Sequence, residues 1–153
     1  MSFLKTKAEA EIEVEMIELN AENKNIKVLV PRMEHFFEKN KLIANGKPFI
    51  IYHKYDRAND DVRFSVCMPV RDSINIMPGS DIESGEMANY TSLKTTLVGD
   101  YSHTQLAWKK AFDYISKNHL ERNKSGQVIE VYTQGRKDIK SPSKWVTEVY
   151  VPI

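Results

Sequence analysis

The sequence predicts an α+β fold in which a strand–helix–strand–strand unit occurs twice. Each half of the chain has one segment with apolar residues at helical spacing. Two segments rich in β-branched and aromatic residues follow it. We expect the two units to form one antiparallel sheet, with both helices on one face and a ligand cleft on the other.

The first half spans about residues 11–70, after a charged start at 1–10 that predicts a frayed end. Its predicted elements are a strand at 11–16, where glutamates also allow a helix, a helix at 25–43, and a hairpin of strands at 48–53 and 62–70. Pro31 lies inside the helical pattern, so the helix either begins or bends there.

A segment rich in turn-forming residues, 71–91, is predicted to link the halves, and the second half spans about 92–153. Its predicted elements are a strand at 92–98, a helix at 102–120, and strands at 128–132 and 145–153. Ser102 and Gln105 have the spacing of a capping box, which favours a helix start. Together the halves predict a single domain over residues 1–153.

The halves can be superposed residue by residue. Residues 49–52 match 129–132 when Tyr52 is placed on Tyr132, and 64–70 match 147–153 when the prolines are superposed. A shared order of elements with a shared tyrosine and proline indicates an internal repeat.

Alternation along the last strand places Val149 and Val151 under the helices and turns Glu148 and Tyr150 to the other face. The superposition then assigns the remaining residues of each half to a face. Ser65 and Cys67 face with Glu148, Ile51 and Val131 are core, and Tyr52 and Tyr132 face away from the helices.

The predicted cleft is therefore lined by Tyr52, Tyr132, Tyr150 and Glu148. Aromatic walls with one carboxylate suit a flat or cationic organic molecule, because cation–π contacts are worth about 0.5–2 kcal/mol each. Every one of these residues also has an ordinary structural interpretation, such as a sheet aromatic or a surface glutamate.

Composition narrows the classes of function. A net charge of +1 gives no global attraction for phosphate backbones or anionic lipid, so we expect no direct nucleic-acid binding and no membrane association. A single cysteine, Cys67, is typical of a reducing cytoplasm, and a small buried role suits it better than a nucleophilic one. The start of the chain has no signal-like apolar run, which favours a cytoplasmic location.

Cofactor motifs are missing from the sequence. The four histidines are not at metal-ligand spacing, and neither a phosphate-binding glycine loop nor a serine-hydrolase motif occurs. We therefore expect no metal and no cofactor, with haem kept as a remote option because a related duplicated fold includes haem-associated proteins.

The turn Gly99-Asp100-Tyr101, the tract 128–132 and the ending 145–153 resemble the gyrase-inhibitor-like effector-binding domains, a family also found in bacterial transcription regulators. The resemblance is good from about Leu93 to the end and weaker from Ile26 to Val70. It implies the duplicated fold and a drug-binding role. It also implies that Glu148 corresponds to the glutamate that faces cationic drugs.

The resemblance leaves three hypotheses for function. The first is a small-molecule sensor or sequestering protein without its own DNA-binding module. Its ligand would be a hydrophobic or cationic compound bound at the predicted cleft. Further predicted ligand contacts are Tyr101, Trp108, Ser65 and Cys67. Trp108 suits core packing better, and for Tyr101 the two roles are equally supported. The second is a hydrolase of reactive electrophiles with Glu148 as base, and the third is a protein-interaction role such as topoisomerase inhibition.

Overall fold

The chain divides into two compact units, Met1–Ala88 and Asn89–Ile153. The computed structural model describes residues 2–6, 22–56, 61–71, 74–76, 82–135 and 138–153. Within these residues, no helix is long and apolar enough to cross a membrane.

The first unit contains one long helix and four strands. Its elements are β1 (Ser2–Thr6), α1 (Glu22–Lys39), β2 (Phe49–Asp56), β3 (Asp61–Val70) and β4 (Ile82–Glu86). The strands pair antiparallel in the order β4–β1–β3–β2.

The second unit contains one helix and three strands. Its elements are β5 (Ser92–Val98), α2 (Thr104–Lys117), β6 (Val128–Gln134) and β7 (Val146–Pro152), with short 3-10 turns at Tyr101–His103 and Pro142–Lys144. The strands pair antiparallel in the order β6–β7–β5.

These elements confirm the predicted α+β fold and its duplicated unit. In both units the first strand of the repeat pairs with the third, and the third pairs with the second. The register agrees as well, since Ile50 faces Val66 in one unit and Glu130 faces Val149 in the other. Each second strand has its irregularity at the same place, after Tyr52 and after Tyr132.

Each unit packs its own helix against one face of its strands. In the first unit the buried side chains of this cluster are Met33, Phe37, Met68, Val70 and Ile82. In the second they are Ala107, Ala111, Ile115, Val149 and Val151. We call the face against the unit's helix its helix side, and the opposite face its helix-free side.

Several predicted boundaries need correction. Residues 2–6 form β1 rather than a frayed end, and the segment predicted as a linker contains β4. The strand predicted at residues 11–16 lies outside the described residues. β1 forms as a strand because its backbone pairs with β3. The sequence did not predict it, because this pairing is a long-range contact that local sequence does not reveal.

The helices also differ from prediction at their ends. Helix α1 begins at Glu22 and runs through Pro31 to Lys39. Helix α2 follows a 3-10 turn, and no side chain caps its start at His103, so the predicted capping box is not formed.

Candidate functional site

The second unit buries a glutamate on its helix side. Glu130 is 0% exposed, and its strand position is directly opposite Val149, whose side chain packs against α2. Side chains that face each other across antiparallel strands share a face, so Glu130 also lies on the helix side. A carboxyl group in such a place requires hydrogen-bond donors.

Two aromatic side chains supply donors to Glu130. The indole Nε1–H of Trp108 donates to Oε2 at 2.8 Å, and the hydroxyl of Tyr132 donates to Oε1 at 2.7 Å. Both carboxyl oxygens therefore accept a hydrogen bond from an aromatic side chain. The carboxyl group is thus bonded through both oxygens while its residue is fully buried.

More aromatic rings surround Tyr132. Tyr101 makes an edge-to-face contact with it at 5.1 Å between ring centroids, and Trp145 lies 4.5 Å from Tyr101. All three rings are buried, and the indole of Trp145 donates to the carbonyl of Ile139 at 2.7 Å. The rings and the carboxylate form what we call the Glu130 cluster: Tyr101, Trp108, Glu130, Tyr132 and Trp145.

Trp108 is the half-buried member of this cluster and marks its solvent side. Its ring stacks on Phe112 one helical turn further along α2, with 6.1 Å between centroids. The guanidinium of Arg122 lies 5.0 Å above the ring of Phe112. Trp108, which donates to Glu130, is thus the member of the cluster with the most contact with solvent.

Tyr101 is held in place by the turn before α2. The carboxylate of Asp100 accepts a hydrogen bond from the Ser102 backbone at 2.8 Å, and this bond lowers the pKa of Asp100. The hydroxyl of Thr104 donates to the Tyr101 carbonyl at 2.6 Å. On the other side Gly135 leaves room, because a Cβ there would lie 2.6 Å from the Tyr101 hydroxyl.

The helix-free side of the same unit has a second carboxylate. Glu148 is half-buried and accepts a hydrogen bond from the hydroxyl of Tyr150, as expected for two residues on one face of β7. Burial, the hydrogen bond to Glu148 and the negative charge of Glu148 together raise the pKa of Tyr150 to about 12, and burial has the largest effect. Tyr150 therefore remains a donor across the physiological pH range.

The first unit places Ser65 and Cys67 on its helix-free side, as predicted, and buries both. The ring Nε2 of His53 lies 2.8 Å from the Ser65 hydroxyl. The Cys67 thiol donates to the Ser65 carbonyl at 3.6 Å.

The predicted faces of four residues are wrong. Tyr52 faces Phe64, and Tyr132 faces Thr147, so both tyrosines lie on the helix side of their unit. Ile51 and Val131 lie on the helix-free side. The prediction assigned the aliphatic residues Ile51 and Val131 to the face that packs against the helix because they are apolar. However, both faces of β2 are buried, and β6 turns a hydrogen-bonded glutamate inward.

The structure therefore separates the eight predicted site residues into three groups. Tyr101, Trp108 and Tyr132 belong to the Glu130 cluster. Glu148 and Tyr150 form a pair on the helix-free side of the same unit. Tyr52, Ser65 and Cys67 belong to the first unit. Sequence reasoning missed Glu130 and Trp145. The repeat contained a signal for Glu130, because the superposition of tyrosines places it on Ile50, a core position.

Among the residues that the structure describes, no group of three or more histidine, cysteine, aspartate or glutamate side chains could hold a metal ion. The carboxyl groups of Glu130 and Glu148 are instead bonded to aromatic donors.

Comparison with known proteins agrees with this architecture. A family model, the GyrI-like small molecule binding domain, matches residues 7–153. The chain belongs to this family. The solved structure of the C-terminal domain of EcmrR is similar to this chain, with a TM-score of 0.78 at 16% identity, and the match covers 98% of this chain and 89% of that one. No curated protein matches the sequence significantly.

Other solved structures share the fold at similarly low identity. The EcmrR chain in a complex with DNA has a TM-score of 0.81 to the present chain, at 15% identity and with 99% of the present chain covered. The present chain spans about half of that EcmrR chain, 53% of its length. SAV2435 bound to tetraphenylphosphonium has a TM-score of 0.60 at 15% identity, with 99% of this chain and 88% of that one covered. A hydrolase encoded by lin2189 of Listeria innocua has a TM-score of 0.59 at 12% identity, with 99% and 86% covered.

Proposed function

We propose that this GyrI-like domain binds a lipophilic organic cation at the Glu130 cluster and acts as a sensor or sequestering protein for it. The observation that supports this most strongly is the fully buried carboxylate of Glu130 held between Trp108 and Tyr132. Its family supports a small-molecule ligand. A structural neighbour bound to tetraphenylphosphonium supports the cationic class.

The negative charge of Glu130 attracts a cation strongly because it lies away from water. The Coulomb interaction between two charges becomes stronger as the surrounding dielectric constant falls. A buried carboxylate therefore attracts a bound cation more strongly than an exposed carboxylate does. Glu148 is half-buried and more screened by solvent. We therefore place the ligand's charge at Glu130 and treat Glu148 as the competing site.

The aromatic rings provide the apolar part of the site. The faces of Trp108, Tyr101 and Tyr132 attract cations through their quadrupoles, at about 0.5–2 kcal/mol each. Entry requires the Trp108 indole to leave Glu130, since Trp108 lies on the solvent side of the carboxylate. The cation then replaces the indole N–H as the partner of Oε2.

Calorimetric titration with tetraphenylphosphonium tests this proposal. We expect Glu130→Gln to weaken binding by about tenfold or more, since a charged partner becomes neutral in a dry site. Glu148→Gln is the matched control, with the same change of charge in the same unit, and it leaves affinity within about twofold. Circular dichroism checks that both variants are folded. Equal affinity of Glu130→Gln and the unchanged protein would contradict the proposal.

A second candidate function is hydrolysis of reactive electrophiles, with Glu148 as the general base. The specific observation in its favour is the bond from Tyr150 to Glu148, which fixes the carboxylate and supplies a hydroxyl that can orient a substrate. Mass spectrometry of a strained electrophile incubated with the protein tests it. Loss of product formation in Glu148→Gln supports this function, and tight binding without turnover rejects it.

A further inference from the structure

We propose that Thr147 makes the Glu130 site select protonated amines over fully substituted cations. This inference rests on the proposed function and names the class of ligand for that same site. It depends on a buried hydroxyl that the cluster described above does not use.

Thr147 lies on the helix side of β7, directly opposite Tyr132 and diagonal to Glu130. Its side chain is 0% exposed, and its hydroxyl oxygen has no hydrogen-bond partner among the described residues. Burying a hydroxyl without a partner is unfavourable, and valine would fill the same volume without that cost. The hydroxyl therefore suits a ligand atom that can bond to it.

The repeat provides an independent argument. The positions in the first unit that correspond to Glu130 and Thr147 are Ile50 and Phe64, both buried and apolar. The second unit therefore has two polar side chains on neighbouring strands where the same scaffold elsewhere packs hydrocarbon. Their occurrence together is expected of a binding site and not of a core.

The chemistry of the pair predicts the ligand class. A protonated amine can donate one N–H to the Glu130 carboxylate and a second to the Thr147 hydroxyl. A quaternary ammonium or phosphonium ion has no N–H, so it satisfies the charge of Glu130 and leaves Thr147 unbonded. The site then binds both classes and prefers the first.

Two matched pairs of probes and two variants test the inference by calorimetry. The probes are protonated dibenzylamine against the dibenzyldimethylammonium ion, and protonated benzylamine against benzyltrimethylammonium. We expect the unchanged protein to prefer each amine by about fivefold, the worth of one hydrogen bond. Thr147→Val removes most of this preference, whereas Thr147→Ser, which keeps the hydroxyl, retains it.

The outcomes separate this inference from the proposed function. No preference in the unchanged protein, or a preference that survives in Thr147→Val, overturns the role of Thr147. Binding of tetraphenylphosphonium without any binding of the amines overturns it as well. If Glu130→Gln leaves every affinity unchanged, the proposed function fails on its own ground.

Discussion

The two units share their scaffold and differ in what they bury on the helix side. Order of elements, strand register and the irregularity after the shared tyrosine agree between them. Yet Ile50 and Phe64 in the first unit correspond to Glu130 and Thr147 in the second. The backbone of this fold therefore accepts either an apolar core or a polar, aromatic-lined site at the same positions.

The difference has an energetic explanation in the neighbouring side chains. The second unit supplies an indole N–H from Trp108 and a hydroxyl from Tyr132, which together bond both oxygens of Glu130. The first unit packs methionine and phenylalanine from α1 against its strands instead. A buried carboxylate is tolerated where donors meet it, and an unpaired one is not.

Exchanging the corresponding residues tests this explanation with the largest expected effect. Ile50→Glu should destabilise the protein by about 3–5 kcal/mol, because the carboxylate enters a core packed with hydrocarbon. Glu130→Ile removes a buried charge together with its bonds and should cost less, about 1–3 kcal/mol. Urea unfolding measures both. A larger loss for Glu130→Ile than for Ile50→Glu would contradict the account.

A smaller effect is expected at Gly135, whose closeness to Tyr101 is specific to the second unit. Gly135→Ala places a Cβ against the Tyr101 hydroxyl and should destabilise the protein by about 1–3 kcal/mol through overpacking. The double variant with Tyr101→Phe removes the hydroxyl and should recover most of that loss. Failure of this rescue would show that the contact is not the cause.

The smallest expected effect on stability concerns the hydrogen-bonded pair of Tyr150 and Glu148 on the helix-free side of the second unit. The folded-state pKa of Tyr150, about 12, lies above its ordinary value of 10.0, mainly because the side chain is buried and also because it bonds to Glu148. The contribution of its neutral hydroxyl to stability is therefore complete below pH 10. That contribution is lost as the pH rises from about 10 to about 12, where half of the folded molecules have lost the phenolic proton. Tyrosinate absorbance and unfolding curves in this range should change in Tyr150→Phe, and identical curves would reject the assignment.

The sequence predicted the scaffold well because patterns of neighbouring residues are enough to indicate the elements of the repeat. Helical spacing, strand alternation and the superposed tyrosines are short-range signals, and the elements from Phe49 to Val70 and from Ser92 to Pro152 agree with them. β1 was missed, since its pairing partner lies more than sixty residues away.

The site was predicted less well, and the reason is physical. Strand alternation was used to assign polar residues to the face away from the helix. Glu130 was therefore not selected as a site residue, and Tyr132 was predicted to lie on the wrong face. Burial of that glutamate is favourable only because Trp108 and Tyr132 donate hydrogen bonds to it. Those contacts depend on the register of β6 and on the three-dimensional position of Trp108 in α2, which the local sequence does not reveal. Glu148 was favoured because the family resemblance pointed to a glutamate, and its role remains a prediction.

The two tryptophans of the chain allow a direct measurement of the central claim, that ligand binds at Glu130. Each indole N–H gives one signal in a nitrogen–proton NMR spectrum, and Trp108→Phe assigns them. During titration with tetraphenylphosphonium we expect the Trp108 signal to shift in step with binding, as its bond to Glu130 is broken. Binding that leaves the Trp108 signal unmoved would contradict the claim.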